Sequence, residues 1–297
     1  MDNLTHSLVG ALIGQAGLKR RTGLAMPALV IGANLPDVDA ACFFWLDGVQ
    51  HLAFRRGITH GPVAWVVLPL LLAGILYGFD RWQAKRGKRP VGRLPVHFGW
   101  LYGLSLLACL THPALDWLNS YGIRLLAPLS QRWFYGDALF IIDLWLWLGL
   151  GFATWRSLRL ERRARPFEQT AVIALLGFGA YAAANLAITK MHELRDPSEW
   201  VVLANPVPLA FWDRQRIVGS EGIWQAEGDE LGDVPLTRCD LEGARRLDRD
   251  VDAFLIWSRL PYVERLPDGR WQLGDARFVG RGVRFSVVLP EATCDPS

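Results

Sequence analysis

The sequence predicts a mainly α-helical integral membrane domain followed by a small β-rich soluble domain. Apolar residues up to about position 190 form long blocks that are separated by short basic clusters. From Glu193 onward, charged and apolar residues are mixed, as in a soluble protein. The hydrophobic content is 51%, and the mean hydropathy of +0.17 is above that of a typical soluble enzyme. We therefore expect a transmembrane domain over residues 1–190 and a soluble domain over residues 191–297.

Four apolar stretches are candidates for full membrane spans. A bilayer core of about 30 Å needs roughly 20 residues of helix, with about 17 as the lower limit. Two shorter stretches, Leu4–Leu18 and Leu24–Leu35, precede the candidates and fit tilted helices or a re-entrant pair. The sequence therefore predicts about four full spans plus two short N-terminal helices. The four candidates are Val63–Phe79, Phe98–Leu110 with its extension Thr111–Leu118, Leu139–Trp155 and Thr170–Thr189.

Three clusters of basic residues predict the orientation of these helices. They lie in short connections, at Lys19–Arg21, Arg81–Arg93 and Arg156–Arg165. Because lysine and arginine in short loops stay in the cytoplasm, we expect all three connections there. The soluble domain then lies on the extracytoplasmic side of a bacterial-type cytoplasmic (inner) membrane. Met1–Asn3 lacks the positive residues that open a signal peptide, so we expect the first helix to be retained.

The charge pattern argues against a nucleic-acid partner. The net charge is only +3, and the basic clusters carry no interleaved aromatic residues of the kind that bind RNA. Many of the 14 tryptophans lie near the ends of apolar blocks, where amphipathic rings suit a membrane interface. The predicted partner is therefore the lipid bilayer, and the soluble tail is a candidate surface for a protein partner.

The tail is expected to be mostly β, with strand-like stretches separated by turns. Pro267–Gly269 is a turn signal between two runs, and Asp240–Asp250 fits a short helix. Cys239 and Cys294 are the two cysteines of the tail; they would form a disulfide if the tail is external, or stay as two thiols. The strand-like stretches are Trp200–Leu203, Ile217–Trp224, Ala253–Trp257 and Val283–Leu289.

Three of the six histidines occur in one repeated dipeptide, in Thr5-His6, Thr59-His60 and Thr111-His112. Each dipeptide lies at an end of an apolar helix. The orientation deduced above used no histidine, yet it places all three ends on the outer face. A single histidine at a helix end is more often an interfacial or capping residue than a ligand. The agreement among three of them is therefore what indicates a shared site.

Carboxylates are expected on the same face. Asp37 and Asp39 follow Pro36, and two aspartates at i and i+2 of an irregular segment can direct oxygens at one cation. His112 and Asp116 are four residues apart and share one helix face. Asp37 as a turn residue and Asp116 as the partner of an arginine are the alternatives. Imidazole with carboxylates suits Zn²⁺, Mn²⁺ or Fe²⁺, and ionisable groups at membrane depth are usually functional.

Other polar residues near this face are weaker candidates. Arg56 precedes His60 by four residues and could bind an anionic group such as phosphate, or a lipid headgroup. Asp143 is a candidate ligand or hydrogen-bond acceptor, and His51 is a further possible ligand. His97 is excluded because it lies on the cytoplasmic side, whereas Asp137 is expected to be a surface or capping residue and His192 is favoured as part of a linker rather than as a ligand.

These motifs together resemble the YdjM-type family of membrane-bound metal-dependent hydrolases (the DUF457 group), over most of the chain. The resemblance implies a metal site more firmly than it implies a reaction. One departure is Gly61-Pro62, where the family often has serine after the Thr-His pair, so a hydroxyl contact would be missing. The membrane motifs are Thr5-His6-Ser7 with Gly10, Leu35–Asp39, Arg56–His60, and His112 and Asp116 with Tyr121-Gly122; those resembling the tail of longer members are Asn205-Pro206, Trp212, Trp257–Tyr262 and Asp275–Phe278.

The function predicted first is hydrolysis, at the outer leaflet, of a lipid or lipid-linked ester or phosphoester. Asp39 or Asp116 would act as general base, with Arg56 in the catalytic set. The alternative is a non-catalytic metal-stabilised scaffold or regulator, which predicts a saturated metal shell. An ion transporter is less favoured because its ionisable groups should lie near the membrane midplane. The predicted ligands, numerous enough for two metal ions, are His6, Asp37, Asp39, His60, His112 and Asp116.

Overall fold

The computed structural model describes residues 1–194, 201–226, 228–280 and 285–295. The chain divides into two compact units. The first comprises Met1–Val38 and Arg56–Leu186, and the second comprises Asp39–Arg55 and Ala187–Ser297. The second unit therefore includes a short segment from within the predicted transmembrane domain as well as the predicted tail.

The first unit is helical. The helices are numbered in chain order. Those of the first unit are α1 (Asn3–Gln15), α2 (Ala25–Gly32), α4 (Pro62–Lys85), α5 (Phe98–Trp117), α6 (Leu144–Arg162) and α7 (Glu168–Glu193). Helix α3 (His51–Phe54) belongs to the second unit, and the end of α7 continues into that unit. Short 3₁₀ segments lie at Leu18–Arg20, Leu35–Phe44 and Ile58–His60.

Three helices of the described residues, α4, α5 and α7, are long and apolar enough to cross a membrane. A fourth span is possible if α2 and the 3₁₀ segment Leu35–Phe44, which are bent by 52° relative to each other, count as one. Pro36 lies at the start of this segment and cannot continue the α-helical hydrogen bonds. The helix α6, predicted as a full span, is not among the three, because charged residues occupy its last two turns.

Two apolar clusters hold the helices of this unit together. One joins α1, α6 and α7 through residues such as Leu12, Leu146 and Leu150. The other joins α2, α4 and α5 through residues such as Leu29 and Leu101. The helices α1 and α2 approach closely at Gly10, where an added Cβ would lie 2.7 Å from the carbonyl oxygen of Leu29. Both short N-terminal helices are therefore packed inside this unit.

The second unit contains two antiparallel sheets, which agrees with the prediction that the tail is rich in β-structure. The first four described strands form one meander, and the next three form the other. Helix α3 packs on helix α9 (Arg249–Trp257) of the same unit. The strands are β1 (Val201–Pro206), β2 (Arg214–Ser220), β3 (Ile223–Ala226), β4 (Asp229–Leu231), β5 (Pro261–Arg265), β6 (Trp271–Asp275) and β7 (Ser286–Val288); the helices are α8 (Leu241–Leu247) and α9 (Arg249–Trp257), with 3₁₀ turns at Leu236–Arg238 and Ala276–Phe278.

One predicted strand of the tail is wrong. Ala253–Trp257 lies in helix α9, which Asp248 caps by accepting a hydrogen bond from the Asp250 backbone N–H. The buried residues Val251, Phe254 and Trp257 recur every three residues, which is helical spacing. The predicted run Ile217–Trp224 is a hairpin whose turn uses positive φ at Glu221 and Gly222.

The other tail predictions agree with the described strands. The Pro267–Gly269 turn joins β5 to β6, and Gly269 has a φ of +86°. Strands lie within Trp200–Leu203 and Val283–Leu289, although Trp200, Val283 and Arg284 fall outside the described residues. Cys239 and Cys294 are joined by a disulfide, with Cα atoms 4.1 Å apart.

Candidate metal centre

Four predicted ligands, Asp37, His60, His112 and Asp116, form the candidate metal centre. Each offers one ligand atom, and these four atoms all lie within 4.8 Å of one another. Because the group combines two imidazoles with two carboxylates, its donor set suits a divalent cation. The cluster is almost wholly enclosed, since the side chains of His60 and His112 are fully buried and that of Asp37 is 10% exposed.

Three separate elements bring these side chains together. Asp37 lies at the start of the 3₁₀ segment that follows α2, and His60 ends the 3₁₀ turn before α4. His112 and Asp116 lie on one face in the last two turns of α5. The C-terminal end of a helix carries partial negative charge, so the end of α5 favours a cation at this place.

The distances within the cluster fit a four-coordinate ion. His112 Nε2 lies 3.5 Å from Asp116 Oδ2 and 3.8 Å from Asp37 Oδ1. His60 Nε2 lies 3.6 Å from Asp116 Oδ2. Ligand atoms at about 2.1 Å from a tetrahedral Zn²⁺ stand about 3.4 Å apart. The cluster therefore needs only small adjustments to enclose an ion of this size.

The hydrogen bond of His112 orients its ring for ligation. Its Nδ1 lies 2.7 Å from the carbonyl oxygen of Ala33. A carbonyl oxygen only accepts, so Nδ1 donates to it, and Nε2 is the ring nitrogen that faces the cluster. Among the described residues, Nε2 has no hydrogen-bond partner. A buried imidazole nitrogen in this state is what a metal ligand requires.

His6 adjoins the cluster without belonging to the group of four. Its ring stacks on that of His112 with centroids 3.9 Å apart, and its Nε2 lies 3.4 Å from Asp116 Oδ1. The Met1 amino group also contacts this Asp116 oxygen. The three histidines of the repeated dipeptide therefore converge, since the His60 and His112 rings are 5.0 Å apart.

Asp39, unlike Asp37, is not one of the four grouped residues. Both residues lie in a regular 3₁₀ segment, whereas the sequence reasoning assumed an irregular one. With about three residues per turn, side chains at i and i+2 point in different directions. Asp39 belongs to the second unit, where its Oδ1 lies 3.4 Å from Nε of Arg55.

Arg56 contacts the cluster through Asp116. Its Nε lies 3.2 Å from Asp116 Oδ2, and its Nη1 donates to Asn119 Oδ1 and to the Gly122 carbonyl oxygen. The guanidinium also lies 4.5 Å from the centre of the Tyr121 ring. Arg56 is buried and has a φ of +54°, which fixes its backbone in an uncommon conformation. It thus joins Asp116 to the loop that follows α5.

Asn119 is a residue that the sequence reasoning missed. Its Oδ1 accepts hydrogen bonds from Arg56 and from the Tyr121 backbone N–H. It follows Asp116 by three residues, just beyond the end of α5. The signal that could have found it is a polar side chain about one turn after the candidate ligand Asp116.

The remaining candidate residues lie elsewhere. Asp143 caps α6 by accepting from the Leu146 backbone N–H, and it also accepts from the Tyr181 hydroxyl. His51 begins α3 in the second unit, where burial lowers its pKa. Asp137, expected at the surface or in a cap, is buried and has a φ of +50°. His97 occupies the N-cap position of α5 without a side-chain capping hydrogen bond, and His192 lies in the last turn of α7.

The departure at Gly61 has a steric cause in this chain. A Cβ at this position would lie 1.9 Å from the Ala127 carbonyl oxygen, so serine could not fit without a backbone shift. The hydroxyl next to the centre comes instead from Thr59, whose Oγ1 lies 2.9 Å from His60 Nδ1. The other two threonines of the dipeptides bond Asp2 and the Ala108 carbonyl oxygen.

The YdjM inner membrane protein family matches residues 1–188 of this sequence. The chain belongs to this family. The resemblance predicted from the Thr-His motifs is thereby confirmed, and together with the apolar helices it gives the protein a membrane location. The matched region includes every residue of the candidate metal centre, and the β-rich tail lies beyond it.

A curated relative extends the similarity into the tail. The chain is 24% identical over 296 residues to the "Uncharacterized protein YfhP" of Bacillus subtilis (strain 168). The match covers 92% of this chain and 82% of the relative. No solved structure matches this sequence significantly.

Proposed function

We propose that this YdjM-family member is a metal-dependent hydrolase acting at the outer leaflet on a lipid or lipid-linked ester or phosphoester. The observation that carries the proposal is the buried Asp37, His60, His112 and Asp116 group at the ends of apolar helices. Two imidazoles and two carboxylates favour Zn²⁺ or Mn²⁺. When bound, such an ion activates water and polarises the bond to be cleaved.

Each residue has a role in this proposal. Asp116 would help hold the ion, together with His60 and His112, whose Nε2 atoms lie 3.6 and 3.5 Å from its Oδ2. Its other oxygen, Oδ1, lies 3.4 Å from His6 Nε2, so a proton that Asp116 accepted from the attacking water could move on to that imidazole. Arg56 holds Asp116 in place rather than binding substrate, because its Nε and Nη1 point at Asp116 and the loop after α5. Asp39 remains a predicted ligand or base and is not one of the four grouped residues.

The outer-face orientation rests on two independent features. The basic loops at 19–21, 81–93 and 156–165 favour a cytoplasmic location for those connections. The Cys239–Cys294 disulfide favours an oxidising compartment for the tail. A site on that face would meet lipids of the outer leaflet, which is why we propose a lipid-like substrate.

The test compares metal content and hydrolysis in the same preparations. We expect purified protein in detergent to bind a divalent ion and to hydrolyse a member of a phospholipid and lipid-phosphate panel. His60→Ala and Asp37→Ala should each lower the metal content and the rate of hydrolysis by at least about 10- to 100-fold. Losing even an outer hydrogen-bond partner of a metal ligand has an effect of that size, and losing a ligand should cost no less. The matched control is His97→Ala, which changes a histidine at the opposite end of α5. Metal content unchanged in both site variants would contradict the assignment of the centre.

One observation favours a second candidate function, a metal-stabilised scaffold or regulator. His6, His60 and His112 have no exposed surface, and Asp116 is 1% exposed. Such a closed site is typical of structural metals, whereas catalytic sites keep a position open for water or substrate. A protein that binds one ion per chain, loses thermal stability with a chelator and hydrolyses no lipid of the panel would support this alternative.

A further inference from the structure

His60 presents its two ring nitrogens to two different groups. Nδ1 lies 2.9 Å from the hydroxyl oxygen of Thr59, Oγ1. Nε2 lies 3.6 Å from Asp116 Oδ2, on the side of the candidate metal centre. A hydroxyl can either donate or accept a hydrogen bond, so the 2.9 Å distance alone allows the imidazole proton on either nitrogen. The surroundings of the ring decide between these two tautomers.

Two observations favour the tautomer with the proton on Nδ1. The 3.6 Å between Nε2 and Asp116 Oδ2 exceeds the usual N–H···O range of about 2.7–3.2 Å, so this carboxylate is poorly placed to accept from an N–H at Nε2. His112, the other histidine of the group of four, also directs its Nδ1 away from the centre, at the Ala33 carbonyl oxygen. With the proton on Nδ1, His60 would donate to Thr59 and keep Nε2 for an ion, as neutral imidazole ligands do.

The backbone on both sides of the Thr59–His60 peptide bond is constrained. Both residues lie in the 3₁₀ turn Ile58–His60, and the Trp65 indole N–H donates to the His60 carbonyl oxygen at 2.7 Å. A Cβ at Gly61 would lie 1.9 Å from a backbone carbonyl oxygen, so the chain is tightly packed there. Threonine is branched at Cβ, which restricts its χ1 rotamers. The Thr59 hydroxyl therefore has a nearly constant position relative to the His60 ring.

The other two Thr-His dipeptides use the threonine hydroxyl differently. Thr5 Oγ1 donates to Asp2 Oδ2 at 2.6 Å, which joins it to the residue that caps α1. Thr111 Oγ1 donates to the Ala108 carbonyl oxygen at 2.7 Å, within α5. Both hydroxyls therefore serve local helix structure. The contact between hydroxyl and imidazole at Thr59 is not a by-product of placing threonine before histidine.

From this geometry we infer that Thr59 is a positioning residue of the candidate metal centre. Its Oγ1 accepts a hydrogen bond from His60 Nδ1, which holds the ring in one orientation and leaves Nε2 as the nitrogen that would hold the ion. This inference rests on the proposed metal centre and adds to it a side chain outside the group of four. Partners of this kind orient a ligating histidine and raise its basicity, and their loss typically costs about 10- to 100-fold in metal affinity.

The first measurement is the Zn²⁺ affinity of the full-length protein in detergent, by competition with a chelator of known affinity. Thr59→Val keeps the branched shape but replaces the hydroxyl by a methyl group, so we expect its Zn²⁺ affinity to fall by about 10- to 100-fold. Thr59→Ser keeps the hydroxyl and should retain the affinity of the parent protein. Equal affinity of Thr59→Val and the parent, or an equal loss in Thr59→Val and Thr59→Ser, would overturn the inference.

The matched control is Thr111→Val, which makes the same change beside His112. The Thr111 hydroxyl donates to the Ala108 carbonyl oxygen, and His112 Nδ1 donates to that of Ala33, so the Zn²⁺ affinity of this variant should equal that of the parent. A loss as large as that in Thr59→Val would overturn the inference, because any such change near the centre would then suffice. If Thr59→Val fails to fold, Thr59→Ala replaces it, and the same differences are required.

The second measurement needs no metal and determines the tautomer of His60 directly. In metal-free protein with ¹⁵N-labelled histidine, the ring nitrogen shifts distinguish a proton on Nδ1 from one on Nε2, and the signal missing from His60→Ala identifies this ring. We expect the proton on Nδ1 in the parent and in Thr59→Ser, and a mixture of tautomers in Thr59→Val. A proton on Nε2 in the parent, or the same tautomer in all three proteins, would overturn the inference. A parent protein that binds no Zn²⁺ would count against the proposed function, and the tautomers would then decide the inference alone.

Discussion

Asp116 is the residue on which the candidate metal centre converges. Its Oδ2 lies within 3.6 Å of nitrogens from His60, His112 and Arg56. Arg56 has no place among the four ligands, yet it supports one of them directly. Outer partners of metal ligands fix the orientation of those ligands, so Arg56 should affect metal binding without touching the ion.

We predict that Arg56→Ala lowers metal affinity by about 10- to 100-fold. The carboxylate of Asp116 would lose the contact to Arg56 Nε and with it the connection to the loop after α5. Competition with a chelator of known affinity measures the change. The matched control is Arg89→Ala, which breaks a 3.2 Å pair with the buried Asp80 at a distance from the centre. Equal losses in both variants would show general destabilisation rather than loss of support for Asp116.

A second arginine, Arg277, is buried in the tail beside Asp275. Its Nε donates to Asp275 Oδ1 and its Nη2 to Asp275 Oδ2, at 2.8 and 2.9 Å. The guanidinium also lies 4.7 Å from the centre of the Trp257 ring. Burial opposes ionisation of Asp275, but Arg277 and several hydrogen bonds outweigh that effect and hold the pKa of this carboxyl below its usual value.

We predict that Arg277→Met lowers the free energy of unfolding of the tail by about 3–5 kcal/mol at neutral pH. In the parent protein, the low pKa stabilises the fold above the unfolded value of about 3.9, and this stabilisation is lost as pH falls through the folded pKa. Without Arg277, burial raises the pKa of Asp275. The difference between variant and parent should therefore be larger at neutral pH than near pH 4.

Urea unfolding of the full chain in detergent, followed by proteolysis of the tail, measures this difference. The exposed pair Arg270 and Asp268 has the same two-residue spacing, with Arg270 Nε donating to Asp268 Oδ2 at 2.7 Å. Exposed pairs contribute at most about 1 kcal/mol, so Arg270→Met is the matched control. A pH-independent effect of Arg277→Met would contradict the role given to the ion pair.

The residues that the structure brings together in the candidate centre could be chosen from the sequence because their signal is local. The repeated Thr-His dipeptide and the i, i+4 spacing of His112 and Asp116 can be read directly from the sequence. The sequence could not predict that Asp37 joins the group of four and Asp39 does not, since this difference depends on the 3₁₀ conformation of Leu35–Phe44. The orientation of Arg56 also could not, because its partners Asn119 and Gly122 come from a loop distant in sequence.

At the scale of elements, the centre depends on the contact between α1 and α2. Gly10 of α1 lies against Leu29 of α2, with no space for a side chain. The same two helices supply His6 and, just beyond α2, the Ala33 carbonyl oxygen that binds His112. A change in their separation should therefore disturb the metal centre as well as the packing.

We predict that Gly10→Ala lowers both thermal stability and metal affinity. Its Cβ would lie 2.7 Å from the Leu29 carbonyl oxygen and 3.2 Å from the Ala33 Cβ, so α1 must move away from α2. Thermal unfolding in detergent, with and without added metal, measures the effect. At Gly74 of α4, a Cβ meets no heavy atom within 4 Å among the described residues. Gly74→Ala should be neutral or slightly stabilising, since alanine favours helix by up to about 1 kcal/mol.

The errors of sequence reasoning at this scale have a common physical cause. Periodicity in a short run does not distinguish a strand from a helix, as Ala253–Trp257 shows. The capping carboxylate of Asp248 is what selects helix there. In the same way, α6 begins at Leu144 because Asp143 caps it, five residues later than the apolar stretch begins.

At the scale of the whole molecule, the proposed outer-leaflet substrate depends on the side of the membrane on which the tail lies. The disulfide ties the end of the chain to the segment before α8, where Asp240 N–H donates to the Thr293 carbonyl oxygen and Asp295 N–H to that of Arg238. The bond closes a loop of 55 residues. Closure of a loop of that length stabilises a fold by about 4 kcal/mol in the chain-entropy account.

We predict that the tail is extracytoplasmic and that the Cys239–Cys294 disulfide forms in cells. Alkaline phosphatase fused to the C-terminus should be active, and a green fluorescent protein fusion should be dark. In protein taken from cells and denatured without reductant, maleimide should label Cys42 and Cys109, which are free thiols, and leave Cys239 and Cys294 unlabelled. The variant Cys239→Ser should expose Cys294 to the reagent and make the tail more sensitive to protease, whereas Cys109→Ser should do neither. Labelling of all four cysteines together with a fluorescent fusion would place the tail in the cytoplasm, and the proposed outer-leaflet substrate would then have to be abandoned.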